Sequence, residues 1–178
     1  QDKPMNKLCC IDDSGFEPIQ NKSRCPLCIL VNTKSGSGKG QRILDRLRHN
    51  KDAMMILFSM QKLETESAQQ DKLKRILQEV DNVRVVIAGG DGSMSWGYSL
   101  MERVKDPEDK LPPFGPLPLG TGNELSRVLG WPKALPPVSI RGDRVLKHCF
   151  QVSKGKLAKL DRWCLKIKNK ADNDIATK

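Results

Sequence analysis

Three glycine-rich turns hold the residues of this 178-residue chain whose types and spacing suit chemistry: Asn32-Thr-Lys-Ser-Gly-Ser-Gly-Lys-Gly40, Gly89-Gly-Asp-Gly-Ser93 and Gly120-Thr-Gly-Asn123. Each sets small residues and backbone N–H groups just ahead of a helix start. Unpaired amides and the helix dipole both favour negative charge there, so phosphate oxygens are the matching ligand. Asp91 stands among Gly89, Gly90 and Gly92 without a steric rival, and its carboxylate can approach a bound cation or a ribose. An acid inside a phosphate cradle makes sense when a divalent cation such as Mg²⁺ bridges it to the phosphates.

Two familiar phosphate motifs do not fit. A P-loop needs Gly six residues before Lys39 and a hydroxyl after it, but Thr33 and Gly40 stand there. The dinucleotide fingerprint G-x-G-x-x-G is absent, since Gly36, Gly38 and Gly40 run G-x-G-x-G. Lys34 and Lys39 add positive charge to the first turn or belong to a solvated loop, and both readings stand. Six cysteines include the pair Cys25-Pro-Leu-Cys28, which has zinc-knuckle spacing but no second ligand pair beyond Cys9-Cys10 or the distant His148-Cys149. Cys28 also opens an apolar strand-like run, so reduced, packed thiols are the expectation. His49 reads as a helix-end cap, His148-Cys149 as structural, and Trp96, Trp131 and Trp163 as core.

The elements that must position these turns follow from periodicity. Leu27–Val31 is an apolar run ending in the first turn, followed by a helical stretch with Ile43, Leu44 and Leu47. A second apolar run covers Ala53–Met60. Between Ser67 and Val80, Leu73, Ile76, Leu77 and Val80 fall at i, i+3, i+4 and i+7, a helical stripe. Val83–Ala88 is a β-branched strand that breaks at Gly89 and leads into a helix with Trp96, Leu100, Met101 and Val104 inward. A Pro-rich loop from Asp106 to Gly115 precedes the apolar piece Pro116–Leu119, then the third turn and another helix. Strands alternating with helices predict an α/β fold, a parallel sheet flanked by helices with its ligand at the carboxyl ends of the strands.

Composition narrows the partners. Hydrophobic residues at 38% and charged residues at 29% support a packed core. Lys and Arg (31) exceed Asp and Glu (21) by +10, which calls for anionic company. Aromatics at 4% argue against a stacking platform for single-stranded nucleic acid, and no nucleic-acid partner is expected. The run from Ala53 to Phe58 falls far short of the roughly 20 residues of a membrane helix. The residues from Gln1 hold no apolar signal core, so the expectation is a cytoplasmic protein that meets membranes peripherally when active.

At this point the residues carry a resemblance. Gly89-Gly-Asp-Gly-Ser93 resembles the nucleotide motif of the phosphofructokinase-like superfamily, which includes diacylglycerol, sphingosine, ceramide and NAD kinases. Pro118-Leu-Gly-Thr-Gly-Asn-Glu-Leu125 resembles the next motif of diacylglycerol kinases, Trp96 and Leu160-Asp-Arg-Trp163 are similar to that branch, and Asn32 with Ser35-Gly36 matches the first strand-end motif. The resemblance covers about Pro26 to Trp163. It implies ATP-dependent phosphorylation of diacylglycerol to phosphatidic acid, a transferase reaction of lipid metabolism and signal transduction. Asn32, Gly92 and Thr121 would lie around the nucleotide, together with Ser35, Gly36, Gly90, Ser93, Gly120, Gly122 and Asn123 of the turns. Asp91 would serve Mg²⁺-ATP as metal ligand and catalytic group. Glu124 stands where the family pattern has Asp, one methylene longer.

The resemblance also implies a two-lobed kinase, with residues 25–155 as its nucleotide-binding lobe, 1–24 a tail or linker, and 156–178 the start of a truncated β-rich lobe that holds the catalytic base. Residues from about 164 onward are expected to be poorly ordered or to pair with another chain. From Arg141 to Lys178 eleven basic residues face four acidic ones, which suits an anionic membrane, a solvated face or a surface packed on the second lobe. Rival readings are a sphingoid or ceramide kinase, disfavoured by Thr121 and Asp161-Arg-Trp163, and a noncatalytic nucleotide- or anionic-surface-binding module.

Overall fold

Strands in a sheet covered on both faces need apolar residues at every position, because alternate side chains enter different cores. The segment Leu27–Val31 has that character and forms the central strand β3, every residue of it buried. The computed structural model describes residues 9–12, 15–18, 27–48, 55–135 and 144–161. A hairpin of β1 (Cys9–Asp12) and β2 (Gly15–Pro18) lies within the stretch expected as a tail. After β3 come α1 (Ser35–Arg48), β4 (Met55–Ser59), α2 (Met60–Thr65), α3 (Ser67–Glu79), β5 (Arg84–Gly89), α4 (Asp91–Val104), β6 (Phe114–Pro118), α5 (Glu124–Val128) and α6 (Arg144–Lys154).

The four strands β3 to β6 form one parallel sheet in the order β4-β3-β5-β6. Its two faces feed two cores. Cys28, Leu30, Phe58, Val85 and Ile87 meet Leu73 and Ile76 of α3 and Leu100 and Met101 of α4. Leu27, Ile29, Val31, Val86 and Leu117 meet Ile43, Leu44 and Leu47 of α1 and Val145, Cys149 and Val152 of α6. Burying each such aliphatic side chain stabilises the fold by about 1.5–3 kcal/mol, so the two cores set the sheet rigidly between the helix layers. The α/β expectation is met.

Chain direction locates the crevice. From β3 the next strand, β4, lies on one side, whereas β5 lies on the other, so the winding reverses between β3 and β5. Ligands of open α/β sheets bind outside the carboxyl ends of strands at such a reversal. The first and second glycine turns leave β3 and β5 at this place, and the third leaves β6 beside them.

Some boundaries differ from the periodicity. The run Ala53–Met60 divides, because Met55–Ser59 is strand and Met60 opens α2, with 53–54 outside the described residues. β6 starts at Phe114, inside the expected Pro-rich loop. A proline-bearing strand is tolerated here because β6 is the sheet edge. Leu119 N–H donates to Gly89 O, so by alternation Pro116 and Pro118 turn outward, where neither has an N–H to leave unpaired. Their outward carbonyls accept from His148 Nε2–H at 2.9 Å and from Leu135 N–H at 3.4 Å, closing the edge chemically.

Candidate functional site

The first turn winds left-handed before α1 becomes regular. Gly36, Ser37 and Gly38 have φ of 61°, 53° and 85°, a region in which side chains with a Cβ are disfavoured. A Cβ on Gly36 would also drive into the Leu119 carbonyl, so glycine is required there both by φ and by the close approach of the β6 turn.

The tip of β3 is fixed by side-chain amides. Asn32 Nδ2 donates to Ser93 Oγ at 2.8 Å, bridging the β3 and β5 turns. Its Oδ1 accepts from Gln61 Nε2 at 2.8 Å and from Lys34 N at 3.1 Å. Gln61 Oε1 accepts from Thr33 Oγ1 at 2.9 Å, Thr33 N at 3.2 Å and Ser59 Oγ at 3.3 Å. One glutamine just past β4 thus sets the rotamer of Asn32 and ties the ends of β3 and β4 together, and Asn32 carries the link on to the β5 turn. Sequence reasoning missed Gln61. The available signal was position alone: a polar residue two places beyond a strand end, on the sheet edge where the glycine turns gather.

Asp91 does a job that its glycine surroundings did not reveal. Its carboxylate accepts from Glu124 N at 2.9 Å and Leu125 N at 3.1 Å, capping the short helix α5 from outside. Asn123, at the N-cap position, makes no side-chain cap, which leaves this place to Asp91. Asp91 N–H donates to Gly122 O at 2.9 Å, so the second and third turns are clamped at backbone and side chain together. Gly90 and Gly120 touch at this clamp: a Cβ on Gly120 would lie 2.7 Å from Gly90 Cα. Asn123 Nδ2 donates to Gly120 O at 2.6 Å, and its Oδ1 is buried with no partner. A buried acceptor in that state costs about 1–3 kcal/mol and suits a bridging water or a ligand donor.

The turns therefore bring Asn32, Ser35, Gly36, Gly90, Asp91, Gly92, Ser93, Gly120, Gly122 and Asn123 to one edge of the sheet, with Thr121 exposed at the third turn. Above Gly38 and Gly92 a Cβ would meet nothing within 4 Å, so neither glycine is demanded by packing and both leave room over the cradle. Lys39 folds its side chain toward Gly36, whereas Lys34 is exposed. Glu124, in the place of the family Asp, points to Arg127 at 2.7 Å and Lys133 at 3.0 Å. The Arg127 hydrogen bond, followed by that of Lys133, holds its carboxyl below the usual carboxylate range.

Other chemical candidates have structural explanations. His148 is buried against Pro116 O and packs edge-on to Trp131 at 5.4 Å, and burial pushes its pKa down. Cys28 and Cys149 are buried free thiols whose pKa values burial raises, which keeps them protonated core side chains. Trp96 donates to Glu64 Oε2 at 2.7 Å, and Glu64 also holds Arg103 through two 2.8 Å bonds, stapling α2 to α4. His49, Cys25, Trp163 and the stretch from 164 onward lie outside the described residues, as do the side chains of Cys9 and Cys10. No helix among the described residues is long and apolar enough to cross a membrane.

A parallel sheet with three glycine turns gathered at its reversal point defines the molecule as an α/β domain whose candidate site lies at the carboxyl ends of its strands. The family model of the diacylglycerol kinase catalytic domain matches residues 26–153, and the chain belongs to that family. It is 31% identical over 158 residues to diacylglycerol kinase iota of Homo sapiens, and 33% identical over 154 residues to diacylglycerol kinase zeta of Homo sapiens. Over 151 residues it is 28% identical to the eye-specific diacylglycerol kinase of Drosophila melanogaster. These alignments cover 88%, 84% and 85% of this chain but 14%, 15% and 10% of the relatives, so the chain spans about a seventh of their length or less. No solved structure matches.

Proposed function

We propose that this chain is the nucleotide-binding half of a diacylglycerol kinase, which moves the γ-phosphate of ATP onto the free hydroxyl of diacylglycerol and yields phosphatidic acid and ADP. In that reaction the acceptor oxygen bonds to the γ-phosphorus, the bond to the β-phosphate oxygen breaks, and the hydroxyl proton leaves to a base that the family resemblance puts in a second lobe. The observation that carries this reading is the convergence of the three turns at the sheet reversal, with open space over Gly38 and Gly92. Phosphoryl transfer asks a protein mainly to position groups and neutralise charge, which backbone amides and helix N-termini supply.

Within this reading each side chain has a defined task. Asn32, held by Gln61 and Ser93, presents its remaining amide hydrogen at the tip of β3. Asp91 orients the second and third turns through the Glu124 and Leu125 amides. No three His, Cys, Asp or Glu side chains gather to hold a metal among the described residues, and Glu124 is committed to Arg127 and Lys133. Mg²⁺ commonly takes one or two carboxylates plus substrate phosphates and keeps several waters. Asp91 suits that mode, in which Mg²⁺ arrives with the nucleotide and spreads the developing phosphate charge. The basic stretch beyond Arg141 supports peripheral contact with anionic lipid.

The test is a calorimetric titration of Mg²⁺-ATP into this chain and into Gly92→Asp. The added carboxylate occupies open space and leaves the fold intact. Saturable binding that weakens at least tenfold in the variant upholds the site. Equal affinities, or no binding to either chain, overturn it and favour a charge-driven surface module.

A further inference from the structure

Two polar rungs join α2 to α4, and they stand at matching positions on the two helices. The inner rung runs from Ser93 of α4 through Asn32 to Gln61 of α2. Asn32 Nδ2 donates to Ser93 Oγ and Gln61 Nε2 donates to Asn32 Oδ1, both at 2.8 Å. In the outer rung the Trp96 indole N–H of α4 donates to Glu64 Oε2 of α2 at 2.7 Å. Residues 61 and 64 are three apart, as are 93 and 96, so on each helix the two rungs leave the same face. Arg103, further along that face of α4, grips the same carboxylate through two 2.8 Å bonds. The Arg103 hydrogen bond, and after it that of Trp96, holds the Glu64 carboxyl below its ordinary range, so it meets both donors as a carboxylate.

The helix between these rungs does not fix its own placement. Its 6 residues are too few for a self-standing helix, and Ser59 at the N-cap makes no side-chain cap. Met60 and Leu63 bury one face in the core, but burial is non-directional and holds α2 against the sheet without setting its rotation. Gln70 Nε2 donates to Leu63 O at 2.8 Å, which ties α2 to α3 and not to α4. The directional link from α2 directly to α4 is the charge-assisted one at Glu64.

Resting on the kinase reading above, we infer that Glu64 is a positioning residue for nucleotide binding: by holding α2 against α4 it sets the separation of Gln61 and Ser93, between which the Asn32 side chain is strung. When the outer rung opens, α2 turns about its buried face, Gln61 withdraws, and Asn32 loses the donor that fixes its rotamer at the cradle. The Glu64 and Arg103 side chains are 38% and 54% exposed, so the effect is modest, up to about fivefold in an equilibrium constant.

The experiment compares the chain with Glu64→Ala, Glu64→Gln, Gln61→Ala and the double variant Glu64→Ala/Gln61→Ala. In the ligand-free proteins the ¹⁵N-resolved side-chain amide signal of Asn32 is followed, assigned by its loss in Asn32→Ala. Glu64→Ala should shift that signal, and Glu64→Gln, which keeps an acceptor for Trp96, should shift it less. Calorimetric titration of Mg²⁺-ATP should show affinity about threefold to fivefold weaker in Glu64→Ala and at most about twofold weaker in Glu64→Gln. The double variant should bind no worse than Gln61→Ala alone, because both changes act through one contact. The inference falls if the Asn32 signal stays in place in Glu64→Ala, if that variant binds Mg²⁺-ATP as well as the parent, or if the Glu64 and Gln61 losses add in full. Any of these marks a staple that serves stability alone. A parent chain without saturable Mg²⁺-ATP binding overturns the kinase reading instead, and the ligand-free spectra still decide whether Glu64 positions Asn32.

Discussion

Asp91 is the residue whose structural and chemical tasks can be told apart by measurement. Replacing it with Ala removes two carboxylate acceptors from the Glu124 and Leu125 amides, at 2.9 and 3.1 Å. Helix caps are worth about 0.5–2 kcal/mol, and hydrogen bonds to a charged group about 1.5–3 kcal/mol each. Asp91 is half-buried and water can reach the freed amides in part, so the expected loss is about 2–3 kcal/mol for the pair. At roughly 3–5 °C per kcal/mol for a domain of this size, the ligand-free melting temperature should fall by about 6–15 °C. Asp91→Asn should lie between, because an amide oxygen can still cap one N–H while its NH₂ opposes the other. Calorimetric melting of the three chains without nucleotide is the assay. A carboxylate kept only for a ligand predicts the opposite: its removal would leave the ligand-free melting temperature unchanged or raise it. That result would refute the clamp and return Asp91 to a purely ligand-facing role.

Gln61→Ala should weaken Mg²⁺-ATP binding by roughly tenfold, the effect of about 1.4 kcal/mol, by freeing the rotamer of Asn32. Because it acts through Asn32, the double variant with Asn32→Ala should bind no worse than Asn32→Ala alone, and full additivity in that cycle would contradict the mechanism. His148 supplies a pH dependence. Its folded pKa is pushed down by burial, so the unfolded chain binds more protons once pH drops below about 6.5, and stability present above that value is lost on acidification. Denaturant melts between pH 7.5 and 5, followed by Trp131 fluorescence, should show this slope, and His148→Gln, which keeps a donor for Pro116 O, should flatten it. Gly36→Ala should cost at least about 2 kcal/mol, combining a left-handed φ with a clash at the Leu119 carbonyl, and a melting temperature within 2 °C of the parent would argue against the close approach.

What the sequence determined by itself was everything that local periodicity and turn chemistry encode. The stripe of Leu73, Ile76, Leu77 and Val80 specifies α3, the apolar runs Leu27–Val31 and Val85–Ala88 specify strands buried on both faces, and the glycine clusters mark the three turns. Alternation of these elements led to a parallel sheet, and the spacing of Gly89-Gly-Asp-Gly-Ser93 and Gly120-Thr-Gly-Asn123 led to the family. Only the tertiary structure decided which groups meet across that sheet. Asp91 finds the α5 amides 33 residues away, and Gln61 finds Thr33 at a separation of 28. Nothing in their neighbours announces either contact, because both depend on strand order and register. The start of β6 illustrates the same limit: Phe114 and Gly115 read as the end of a Pro-rich loop, yet they join the strand through pairing with Val85 and Val86, and Pro116 and Pro118 are tolerated in it because their missing N–H groups fall on the outer edge of the sheet. The two rungs between α2 and α4 likewise exist only once the strand order sets those helices side by side.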